Sequence, residues 1–92
     1  MAEGDQLGKT MSRIVDHTWE FDEVARIALV RGVRKYNQAH EDKPANAAWL
    51  HREDWEEIRG NGVRAELGIR YLTPNPACSE RGNVMVGRVE IT

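Results

Sequence analysis

The chain has 92 residues, a formal charge of −2, alternating acidic and basic side chains, and a single cysteine, Cys78. That length suits one domain and is short for two. The charge gives no overall pull toward nucleic acid or an anionic membrane, and one cysteine excludes an intrachain disulfide and a multi-cysteine zinc site. A domain this small hides only about 60% of the surface of its unfolded chain, so association is an expected source of extra stability. No apolar run reaches the roughly 20 residues of a membrane span, and the first ten residues lack the apolar core of a secretory signal. Synthesis in the cytoplasm is expected, with no membrane partner.

Residues 1–11 carry two glycines and no periodicity, which predicts an arm that is flexible or ordered by a partner, ahead of a single domain over 12–92. Met11 is an alternative start. Ile14 and Val15 form a short β-prone stretch. From Asp16 or Thr18, either of which can cap, the pattern reads as helix to about His40. At 100° per residue, Phe21, Val24, Ala25, Ala28, Leu29, Gly32 and Tyr36 share one face, the expected core face. Ile27 and Val30 fall on the opposite, charged side.

Residues 40–44 read as a loop because proline disfavours helix in the residue before it. A short strand is expected at 47–50, then a second helix over 52–59, with Asp54 in the first turn and Trp55 and Ile58 on its apolar edge. Gly60-Asn61-Gly62 stops that helix. Val63, Ala65, Leu67, Ile69 and Tyr71 alternate with Arg64, Glu66, Gly68 and Arg70, which predicts a half-buried strand over 63–72. A loop then runs to Gly82 and Asn83, ahead of a final strand over 84–91, expected to pair antiparallel with the preceding one. The fold class is α+β, with one long and one short helix on a small, mostly antiparallel sheet. The expected core joins Phe21, Val24, Ala28, Leu29, Leu67, Ile69 and Val89.

No constellation points to catalysis, a metal or a cofactor. His17, His40 and His51 lack HExxH or triad spacing, and His40-Glu41-Asp42 reads as a polar turn. Glu53, Asp54, Glu56 and Glu57, flanked by Arg52 and Arg59, read as solvated ion pairs rather than an acid/base couple. Cys78 has no basic neighbour except Arg81, so its activation is unsupported. Gly60-Asn61-Gly62 ends a helix, whereas a phosphate loop begins one. Arg26, Arg31, Arg34 and Lys35, with Trp19 and Tyr36, offer the ingredients of a nucleic-acid surface, but they mix with Glu20, Asp22 and Glu23, which argues against it.

Residues 46–59, NAAWLHREDWEEIR, resemble a strand-turn-helix segment of HK97-type major capsid proteins: a short apolar strand, a capping residue, then a helix opening on Asp54-Trp55. Gly82-Asn83 and Gly87-Arg88-Val89 are loosely compatible with the region after that segment in the capsid family. The chain is far shorter than a capsid subunit, so the resemblance implies tailed-phage ancestry and transfers no functional residue. The expected function is a non-enzymatic virion or assembly component, such as a connector or accessory subunit, acting as a symmetric oligomer. A small host-directed binding protein is the alternative, and a DNA-binding regulator a second. The expected interface combines the arm with Arg26, Ile27, Val30, Arg31 and Arg34, where aliphatic area is rimmed by arginine.

Overall fold

Residues 12–60 and 62–91 are described by a computed structural model, and the arm expected at 1–11 lies outside them. Along the first described segment the pattern has period two. Strand β1 covers Ser12–Phe21, with a bulge between Ile14 and Asp16. The expected helix therefore starts later than its candidate caps. Thr18 and Glu20 lie on one face of β1 and His17, Trp19 and Phe21 on the other, as their partners Val86, Val84, Gly87, Met85 and Asn83 dictate. Helix α1 spans Ala25–Ala39, and Asp22 takes up its entry by accepting the Val24 N–H at 3.1 Å. Two residues expected in the core are corrected by this shift: Phe21 is 56% exposed and Val24 50%. The charged residues of β1 fill a helical polar stripe equally well, which is why periodicity alone misplaces them.

Strand β2 (Ala47–Leu50), helix α2 (Arg52–Ile58) and strand β4 (Asn83–Ile91) fall close to their expected bounds. Between them the expected strand over 63–72 is corrected: helix α3 spans Val63–Leu67 and strand β3 is confined to Tyr71–Pro74. Gly62 and Gly68 flank α3 with φ of +84° and +76°, a conformation glycine adopts without a Cβ clash. Val63 and Leu67, four apart, turn inward while Arg64, Ala65 and Glu66 are exposed, so the i, i+4 rule overrides the apparent alternation.

The sheet order is β1-β4-β2-β3. β4 runs antiparallel between β1 and β2, and β3 is parallel to β2. The expected pairing of the last two strands is thus corrected, because β2 separates them. The result is an α+β fold with a mostly antiparallel sheet. One face is covered by the helices: Ala28, Leu29, Val33 and Tyr36 of α1 pack with Ala48, Leu50, Ile58, Ile69, Val84 and Val86. Fully burying side chains of this kind stabilises by about 1.5–3 kcal/mol each. Val89 is buried on the other face instead, with Ala47, Trp49, Cys78 and Met85, which corrects its place in the helix-side core; Leu67 is only partly buried at that core. No helix among the described residues is long and apolar enough to cross a membrane.

Candidate functional site

The two halves of the face opposite the helices differ. Over β2 and β4, the turn after β3 lies on the sheet: Cys78 is buried against Trp49 and Met85, and its thiol donates to the Trp49 carbonyl at 3.4 Å. Over β1 no described element does the same. Ile14, Trp19 and Phe21 project on that face, Trp19 being 44% exposed, and Val15 sits exposed in the bulge. Every exposed large hydrophobic side chain among the described residues falls between Ile14 and Ile27. Soluble monomers scatter such residues singly, and a contiguous patch marks a contact surface.

The turn that covers β2 is pinned from α2. Asp54, 1% exposed, accepts from Arg81 Nε at 2.5 Å and from the Gly82 N–H at 2.7 Å. The Arg81 guanidinium also reaches Glu57 at 2.9 Å and Glu53 at 3.2 Å. The Asp54 and Glu57 carboxylates hold Arg81 above the ordinary arginine range. Glu53, Asp54 and Glu57 of α2 are thus organised by one distant arginine, while Glu56 lies 3.8 Å from Arg52. Arg59 lies over the Trp55 ring, 4.8 Å from its centroid, rather than pairing with a carboxylate. Sequence reasoning misses this role of Arg81, since 27 residues separate it from Asp54.

The outer side of α1 carries the expected interface residues. Arg26, Ile27, Val30, Arg31 and Arg34 line one shallow groove together with Val24. Ile27 is exposed and Val30 half-buried. Arg31 is held by Asp22 at 2.9 Å, whereas no carboxylate among the described residues pairs with Arg26 or Arg34. Phe21 and Val24 link this groove in sequence to the bare part of β1.

The histidines do separate structural work. His51 Nδ1 accepts the Glu53 N–H at 3.1 Å and so caps α2. His40 stacks on Tyr36 with ring centroids 4.0 Å apart. Its Nδ1 lies 3.0 Å from the Tyr36 carbonyl and its Nε2 2.7 Å from Asp16 Oδ2. Both partners are acceptors, so the doubly protonated imidazolium is the form that satisfies both contacts at once. The Tyr36 carbonyl first, and Asp16 second, raise the His40 pKa, while His40 lowers that of Asp16. This pair ties the end of α1 to β1. His17 is exposed.

A second cleft lies where the parallel strands β2 and β3 end, lined by His51, Pro74, Asn75 and Cys78 among others. Such strand ends often hold ligands in α/β folds. Here His51 Nδ1 is engaged as the α2 cap, and burial pushes the Cys78 thiol up to about 11, which works against a thiolate. Among the described residues no group of three His, Cys, Asp or Glu side chains could hold a metal ion. The chain matches no family model, no curated protein and no solved structure.

Proposed function

We propose that this chain is a non-enzymatic assembly component, of the connector or accessory-subunit type found in virions, working as a symmetric oligomer. The observation that carries this reading is that, among the described residues, the exposed large hydrophobics all fall within 14–27. A domain that buries Leu29, Leu50, Val84 and Val86 completely has a core without them, so they are available for association. Arg26 and Arg34, next to Ile27 and Val30, suit the polar rim of such a contact. The virion direction rests on the sequence resemblance of residues 46–59 to a capsid segment alone.

Size-exclusion chromatography with light scattering tests this on the full chain. The expected mass is a multiple of the 10.5 kDa protomer. Serine at both Trp19 and Phe21, or at both Ile27 and Val30, should weaken association while the melting temperature changes little. A monomer at every concentration would overturn the assembly reading and leave the patch to a foreign protein partner.

A further inference from the structure

We propose that the chain associates head to tail: the bare face of β1, with Trp19 and Phe21, seats on the outer groove of α1 of the next copy, and the repeat closes into a ring. The inference rests on the chain being a self-associating component, and it names the contact.

The two apolar surfaces point away from each other. Trp19 pairs with Met85, on the sheet face that the helices leave, and Phe21 shares that face two residues on. Helix α1 packs on the opposite face, through Ala28, Leu29 and Val33 against Val84 and Val86. Ile27 and Val30 lie on its outer side, in the groove. Sheet and helix therefore stand between the two surfaces. A twofold contact made by either one covers that surface and leaves the other bare on both copies. A head-to-tail contact sets one surface on the other, so a single kind of interface covers both on every copy.

Charge selects the same pairing. Groove against groove would oppose Arg26 and Arg34 to the same two cations of a second copy, and like-charge juxtaposition weakens a contact. The β1 face against itself would leave both arginines as they stand in the protomer, where no carboxylate among the described residues pairs with them. The β1 face on the groove gives them a partner. A Trp ring attracts a guanidinium placed over its face, and the Trp19 ring is 44% exposed. The protomer already makes such a contact, with Arg59 4.8 Å from the Trp55 ring centroid. Asp16 and Glu20 of β1 turn to the other face and are held by His40 and Lys35, so neither competes with the Trp19 ring for the arginines. Ile27, Val30 and Val24 form the aliphatic part of the groove, which receives Phe21.

Mixing two association-defective variants of the full chain tests the contact. Trp19→Ser with Phe21→Ser removes the β1 surface and keeps the groove. Ile27→Ser with Val30→Ser does the reverse, and Arg26→Glu with Arg34→Glu is a second groove variant that leaves every apolar side chain in place. By sedimentation equilibrium wild type should exceed a dimer, because two copies cannot close a head-to-tail ring. Each variant alone should sit at the 10.5 kDa protomer mass, with a far-UV spectrum like wild type. An equimolar mixture of the β1 variant with either groove variant should form a heterodimer, since it holds one intact contact and no surface for a further copy. Adding Arg26→Gln and Arg34→Gln to the β1 variant should raise the heterodimer dissociation constant about tenfold. A dimeric wild type, a variant that still assembles alone, or a mixture that stays at the protomer mass while wild type assembles overturns the head-to-tail contact and keeps the broader assembly reading. A monomeric wild type overturns both.

Discussion

Replacing Asp54 with alanine probes how the turn over β2 is held. The carboxylate is 1% exposed and takes two hydrogen bonds, from Arg81 at 2.5 Å and Gly82 at 2.7 Å. Its loss leaves the buried Gly82 N–H without its acceptor, which costs about 1–3 kcal/mol. Arg81 is nearly half exposed and keeps Glu53 and Glu57, so its loss is that of a surface pair, about 0–1 kcal/mol. The sum is roughly 1–4 kcal/mol, a large part of the ~5–14 kcal/mol that ~0.05–0.15 kcal/mol per residue gives a domain of this length. At ~4–8 °C per kcal/mol, the melting temperature should fall by about 5–30 °C. Arg81→Ala should also destabilise, because it leaves the buried Asp54 carboxylate with only the Gly82 N–H. The double variant should cost less than the sum of the two. Urea unfolding followed by circular dichroism on all three variants measures these values. If Asp54→Ala lies within about 0.5 kcal/mol of wild type, the pinning argument fails.

Leu29→Ala should destabilise by about 2–5 kcal/mol, read by the same unfolding curves, since the side chain is wholly enclosed under α1. Gly32→Ala sets two effects against each other. The helix gains about 1 kcal/mol, but the added Cβ would stand 2.6 Å from a methyl of the fully buried Val86, and overpacking costs about 1–3 kcal/mol; thermal melting should show a net loss. The His40–Asp16 pair predicts a pH window. The raised His40 pKa gives stability that is full below its ordinary 6.5 and is lost as pH rises through the folded value. The lowered Asp16 pKa gives stability present above its ordinary 3.8 and lost as pH falls through the folded value. The stability difference between wild type and His40→Gln should therefore be greatest between about pH 4 and 6.5, and denaturant melts across that range measure it.

Some elements are plain in the sequence because one physical signal dominates each. Ala28, Leu29 and Tyr36 keep helical spacing within α1 and are buried. The strand at Ala47–Leu50 is a short apolar run that ends at the capping His51. β1 is obscured because Asp16, Glu20 and Asp22 fill either a helix stripe or a strand face, and only the partner β4 decides between them. In α3, Val63 and Leu67 satisfy both periods, and the flanking left-handed glycines break the tie. The interface residues expected on α1 do lie together in one groove. The bare apolar strand beside them is hidden in the sequence, because Trp19 and Phe21 fit a continuous helix and its core face as well as they fit a strand. Arg81 is invisible as an organiser because its partners lie far away in sequence.

Sedimentation equilibrium of the full chain against the Trp19→Ser, Phe21→Ser double variant tests the central claim most directly. Wild type should approach a multiple of the 10.5 kDa protomer mass at high concentration and dissociate on dilution. The variant should stay at the protomer mass with a melting temperature close to wild type. Identical masses for the two proteins at every concentration would contradict the account.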